Sequence, residues 1–370
     1  MKRNLILNKN TYLIVIFVFI YCLELLAQQD KKSENSESLD FFGYPFVFYT
    51  PETNFAFGAG GMVYFRTSKQ KGLHLSNILL SGYYTINNQY SVTITPQIYF
   101  SRNKYITTGK LNFGKFLDKF YGYGSTSEEI DNPDYFTQNF AVNLNLQMYV
   151  SKNFAIGGIY DLLYSDIIDK ENNPYLVNNL VVGSNGGLSS GIGLKLIFDS
   201  RDYIHLPTSG GYYIFSAVYY TEPIGSDFSF NDYLMDLRRY FKIVKGHLVT
   251  VQVYGNFIAG NPPFYEMPRL GGSVTMRGYY EGRFRDRYFA TMQAEYKAWL
   301  IEKWDLGFVL FGGIGDVAYS FSDFVLKNFK YSYGLGLRYV FDVKERLTLR
   351  ADFAFGKDTN GVYFGIEETF

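Results

Sequence analysis

An all-β chain closed into a 16-stranded antiparallel transmembrane β-barrel is the architecture this sequence predicts, and three observations carry it. Aromatic residues are the first: 35 Tyr, 35 Phe and 2 Trp give 19% of the 370 residues, alongside 36 Gly and only 10 Pro. The second is alternation with period two, as where Leu347, Leu349, Ala351, Phe353 and Phe355 interleave with Thr348, Arg350 and Asp352. Such a pattern defines a strand with two unlike faces. Third, a mean hydropathy of -0.10 with one long apolar run excludes a bundle of spanning helices, each of which needs roughly 20 apolar residues. A soluble barrel would turn its Tyr and Phe inward and overpack its lumen, so lipid is the partner this face predicts. Disorder is excluded by a hydrophobic content of 47%. Charges balance at 35 Lys plus Arg against 35 Asp plus Glu, which argues against a nucleic-acid partner.

In chain order, Lys2, Arg3 and Lys9 precede an apolar stretch from Tyr12 to Leu26 that is broken by Glu24 and followed by Ala27. A basic start, a short apolar centre and a small residue predict a signal peptide over residues 1–27, which contains the one cysteine, Cys22. Residues 28–40 are polar and charged and predict a short linker, leaving 41–370 for the barrel. Strands are predicted at 45–50, 54–67, 76–84, 90–100, 105–116, 136–150, 153–167 and 187–200. Eight more follow at 210–221, 228–242, 247–258, 288–300, 304–317, 331–341, 346–356 and 361–370. The long connections, 117–135, 168–186 and 259–287, all follow odd strands, while several connections after even strands are only a few residues long. An even strand number with short turns on one side places both chain ends in the periplasm and the protein in the bacterial outer membrane. The first strand is bracketed by Pro45 and Pro51, neither able to donate a ladder hydrogen bond, and the last closes on the terminal aromatic Phe370, an ending like an outer-membrane recognition signal.

Two segments carry more than generic barrel pattern. Phe198, Asp199, Ser200, Arg201 and Asp202, followed by Pro207 and Gly210, lie between the eighth and ninth strands. Gly271 and Gly272 lead into Met276, Arg277, Gly278 and Tyr279, within the long loop between strands 11 and 12. Together they resemble the BamA/TamA superfamily of outer-membrane assembly and translocation barrels, the bacterial surface antigen family, over residues 41–370 and most strongly from 187 onward. That resemblance implies sixteen strands, a periplasmic turn built on Asp199, Arg201, Asp202, Pro207 and Gly210, and an extracellular loop 6 folded inward. It also implies an acidic lumen partner for Arg277, and Glu295 shares the polar face of its strand with Thr291, Gln293 and Lys297. An Arg277–Glu295 ion pair is therefore expected. Strand 13 departs from the family pattern: Gly313 stands where relatives carry an acid, and Asp316 is out of phase, which implies a lock that is weaker or differently wired.

Catalytic chemistry finds little support. Gly187, Ser189 and Gly191 match a nucleophile-elbow pattern, but they open an alternating strand instead of a strand–turn–helix. The three histidines, His74, His205 and His247, are scattered, so neither a soft-metal set nor a cofactor is expected. What the resemblance implies is a non-enzymatic barrel that assists insertion or translocation of protein or lipid through a weak seam between first and last strands. Its implied partners are outer-membrane lipid and either a separately encoded periplasmic protein or client outer-membrane proteins. Assembly members of the family carry periplasmic POTRA modules, for which 28–40 leaves no room, so a short member without them is expected. A passive channel or structural barrel is the alternative, and a lipid-modifying enzyme a more distant one.

Overall fold

The computed structural model describes residues 40–70, 72–301, 305–342, 346–366 and 368–370; the leader over 1–27 and nearly all of the linker lie outside the described residues. Sixteen strands form one closed antiparallel barrel. They are β1 (Asp40–Thr50), β2 (Asn54–Phe65), β3 (Ser76–Thr85), β4 (Tyr90–Phe100), β5 (Tyr105–Lys119), β6 (Asp134–Tyr149), β7 (Phe154–Ile168) and β8 (Gly186–Asp199). The second half comprises β9 (Gly210–Tyr220), β10 (Phe230–Val244), β11 (His247–Gly260), β12 (Tyr288–Ile301), β13 (Leu306–Ala318), β14 (Lys330–Asp342), β15 (Leu347–Gly356) and β16 (Thr359–Ile366). Each pairs with its chain neighbour, and β1 meets β16 to close the ring.

Alternation fixes which face meets lipid. On β12, Thr291, Gln293, Glu295 and Lys297 are buried while Met292 between them is exposed; on β15, Thr348 and Asp352 are buried while Phe353 and Phe355 are exposed. Large apolar side chains thus stand outward and the polar set lines the lumen, the inverse of a soluble barrel. No described helix is long and apolar enough to cross a membrane.

Three differences from the sequence expectation bear on function. The first strand extends from Asp40, five residues before the expected start, and pairs with β2 along its whole length through Pro45 opposite Ala59. Proline is tolerated there because β1 behaves as an edge: with β16 it registers through Tyr49 opposite Phe364 alone, among the described residues. The last strand ends at Ile366 instead of 370. Its alternation would turn Glu368 toward lipid with Ile366, where a carboxylate is costly, and the tail instead enters the buried interior. Finally, loop 6 (residues 261–287) contains a two-stranded ribbon of its own, Arg269–Leu270 paired with Phe284–Arg285, too short to give a period in the sequence.

Candidate functional site

Loop 6 reaches the lumen because glycine allows a backbone that other residues resist. Gly271 has φ +114°, and a Cβ there would stand 2.3 Å from the Tyr280 carbonyl oxygen, so the turn closes only without a side chain. The Gly272 N–H donates to the Tyr279 carbonyl at 3.0 Å and the Gly282 N–H to that of Leu270 at 2.9 Å, making a compact tip. Met276 anchors this tip in an apolar cluster with Leu270, Tyr279, Phe289 and Val317. Arg277 is thereby carried into the wall of β12 to β16.

There the guanidinium forks. One arm pairs with Glu295 on β12; the other donates to Asp352 Oδ2 on β15 at 2.7 Å. Its plane lies over the Phe311 ring of β13, 3.6 Å from the centroid. Neighbours extend the grip: the Gly278 N–H donates to Tyr363 Oη on β16 at 3.0 Å, and Tyr279 Oη donates to the Tyr331 carbonyl on β14 at 3.1 Å. A bidentate charge-assisted fork of this kind is directional as well as strong. The expected partner Glu295 is thus beside Arg277, whereas the second acid is Asp352, which the sequence reading placed on the lumen face without assigning it. Asp316 is engaged elsewhere, accepting from Ser125 Oγ at 2.7 Å and Lys330 Nζ at 2.8 Å.

Loop 6 crosses the lumen. On the far side Arg285 pairs with Asp118 of β5 at 3.1 Å and Arg269 with the same carboxylate at 3.4 Å, while Tyr135 Oη donates to it at 2.8 Å. Beyond the seam, the Glu281 N–H donates to Glu52 Oε1 at 3.0 Å, in the turn joining β1 to β2. One loop therefore holds both sides of the seam, through Tyr363 and through Glu52.

The tail after β16 joins the same charge network. Glu368 accepts from Lys297 Nζ at 2.7 Å, Arg338 Nε at 3.1 Å and Thr348 Oγ1 at 3.2 Å. Lys297 also meets Glu295 at 3.1 Å and Arg338 also meets Asp352 at 2.6 Å, so loop lock and tail share their counterions. Phe370 ends buried. Replacing Glu368 with alanine leaves each cation one remaining carboxylate, and a loss of about 1–3 kcal/mol is expected, in the range for charged hydrogen bonds. A lowered midpoint in the heat-modifiability of the folded barrel on gels measures it, and an unchanged midpoint would remove the tail from the network.

The motif between β8 and β9 is a self-contained turn. Arg201 forks onto Asp199, with Nη2 at 2.7 Å and Nε at 2.9 Å, and lies 4.1 Å from the Tyr212 ring centroid. Asp202 accepts from the Thr208 hydroxyl and from the backbone N–H groups of Thr208 at 2.8 Å and Ser209 at 3.1 Å; partial burial raises its carboxyl, but the hydroxyl bond and then the backbone bonds outweigh that and hold it below the usual range. Pro207 is buried, and Gly210 has φ +95° with the Ser200 carbonyl oxygen 2.1 Å from where a Cβ would stand.

Ser189 lies buried inside β8, within a strand instead of at a turn. Glu266 of loop 6 has an unusual environment: burial first, then the Asp161 and Asp232 carboxylates, push it up to about 8. The folded protein thus keeps a proton that the unfolded chain releases above 4.5, so stability should fall as pH rises from about 4.5 to about 8. Thermal midpoints across that window should slope downward in the native chain and flatten in Glu266→Gln; equal slopes would contradict the assignment.

The model of the Omp85 superfamily domain matches residues 56–370. Among solved structures, BamA from Haemophilus ducreyi lacking POTRA domains 1–3 aligns with a TM-score of 0.63 at 12% identity, over 89% of this chain and 70% of that one. CdiB from Acinetobacter baumannii aligns with a TM-score of 0.58 at 14% identity, over 88% of this chain and 59% of CdiB. At these identities the likeness is one of fold. No curated protein sequence matches the chain.

Proposed function

The chain belongs to the Omp85 superfamily and is a bacterial outer-membrane β-barrel, and from that premise we propose that it assists insertion or translocation of protein or lipid at the outer membrane, without enzymatic chemistry of its own. The observation that carries this reading is the seam. β15 and β16 register continuously from Leu349 opposite Ile366 to Gly356 opposite Thr359, but β1 and β16 register at Tyr49 and Phe364 alone, among the described residues. Little ladder energy has to be given up to part them, since each backbone hydrogen bond is worth about 0.5–1.5 kcal/mol net. A parted β1 offers an extended edge to which a substrate strand adds by β-augmentation.

Loop 6 gives the seam a latch. Its tip grips β16 through Tyr363 and the β1–β2 turn through Glu52, so the barrel can open laterally only when these contacts yield. A lumen crossed by the same loop disfavours a wide passive channel. On this reading the partners are client outer-membrane proteins or a separately encoded periplasmic protein that delivers them. Depletion of the chain in its host, followed by quantification of integral outer-membrane proteins and lipids, tests the proposal. Reduced levels of one or more components, with unfolded precursors retained in the periplasm, are expected. An outer membrane of unchanged composition would contradict it.

A further inference from the structure

We propose that the extracellular loop between β13 and β14, residues 319–329, is a lipid anchor that folds outward over the barrel rim and inserts its tip among the acyl chains of the outer leaflet. The direction of folding is set by Phe321. Its ring packs on Phe257, 5.0 Å between centroids, and edge-on against Tyr288, at 4.7 Å. Those two residues stand opposite each other on β11 and β12, and Tyr288 shares its face with the exposed Met292, whereas the alternate positions, Thr291 and Gln293, are buried in the lumen wall. Loop 6 turns inward; this loop turns to the lipid side.

Its tip is apolar and uncovered. Leu326 is 84% exposed and Phe321 64%, on two single-turn 3-10 segments, Leu326–Asn328 and Phe321–Asp323, and Val325, which caps the segment that starts at Leu326, is 42% exposed. Neither the turns nor their exposure is loose: Ser320 Oγ donates to Asp323 Oδ2 at 2.7 Å, and Phe324 rests against Phe329 at 5.9 Å. The base is fixed by Lys330 on Asp316 at 2.8 Å. Leaving side chains of this size in water forgoes the stabilisation that burial would give, and contiguous exposed apolar groups mark a contact surface. Continuity identifies the occupant. Ile314 below the loop on β13 and Tyr331 on β14 are both exposed on the outward face, so the tip extends the lipid-facing belt. Lys327, exposed beside Leu326, and Arg287, 4.9 Å over the Tyr319 ring, lie where cations meet lipid phosphates above an interfacial aromatic.

A fluorophore sensitive to polarity decides this. The full chain with Cys22→Ser and Leu326→Cys is labelled with a nitrobenzoxadiazole dye and reconstituted into phosphatidylethanolamine–phosphatidylglycerol vesicles, with and without lipids bearing a doxyl quencher at the shallow end of the acyl chain. Ser322→Cys on the preceding turn and Val325→Cys are labelled in parallel. Blue-shifted emission and doxyl quenching about twofold stronger at 326 and 325 than at 322 are expected for apolar side chains seated at the headgroup–acyl boundary. Water-like emission at both 325 and 326, untouched by doxyl lipid, would overturn the proposal. So would blue-shifted emission that doxyl lipid leaves unchanged, which would place a protein surface or a second copy of the chain against the loop. Gel mobility of each folded, labelled barrel establishes that the readout comes from native protein.

Discussion

Arg277→Ala is expected to destabilise the barrel by about 3–5 kcal/mol, the range for removing one partner of a buried ion pair. The size follows from what remains. Glu295 and Asp352 are both buried, and the guanidinium that faces them also covers Phe311. Neighbouring cations soften the loss: Lys297 lies 3.1 Å from Glu295, and Arg338 lies 2.6 Å from Asp352. Arg277→Lys should recover only part of the loss, because a compact ammonium lacks both the planar fork that reaches Glu295 and Asp352 together and the stacking over Phe311. The double-mutant cycle with Asp352→Ala gives the direct reading. Midpoints of heat-modifiability should show strong coupling, the double variant losing much less than the sum of the single losses, and additive losses would mean that the two groups do not act as a pair. Release of the loop should also raise single-channel conductance of the purified barrel, since the same loop crosses the lumen to Asp118.

Period-two alternation and turn spacing were enough to read sixteen strands, because each strand has one face against lipid and one against the lumen. The same alternation placed Glu295 on the lumen face beside the loop motif. Asp352 was legible as a lumen residue on β15 but not as a partner of Arg277, 75 residues away, because depth and register across several strands leave no local mark. The pattern of β13 does not point to it either: the acid missing at Gly313 is supplied two strands further on. The terminal segment departs from its own pattern for a physical reason. Its alternation runs on to Phe370, yet it would point Glu368 at lipid, and Lys297 and Arg338 provide a better place for that charge. Pro45 likewise reads as a boundary, although it lies within β1, whose seam edge needs few ladder donors. The loop at 319–329 carries no signal of its direction, since so short an apolar set as Phe321, Val325 and Leu326 does not say whether it turns to lumen or lipid.

Locking the seam tests the functional account most directly. Cysteines placed at Tyr49 and Phe364 occupy the one registered pair between β1 and β16 among the described residues. Directly opposed strand residues have Cα atoms about 4.5–5.5 Å apart, within the range a disulfide spans. In cells that depend on the chain, the oxidised double variant should reproduce the outer-membrane defects of depletion. Reductant, or either single cysteine alone, should restore the native composition. A barrel shown by mobility to be fully cross-linked and yet supporting an unchanged outer membrane would contradict the claim that this protein works by opening between its first and last strands.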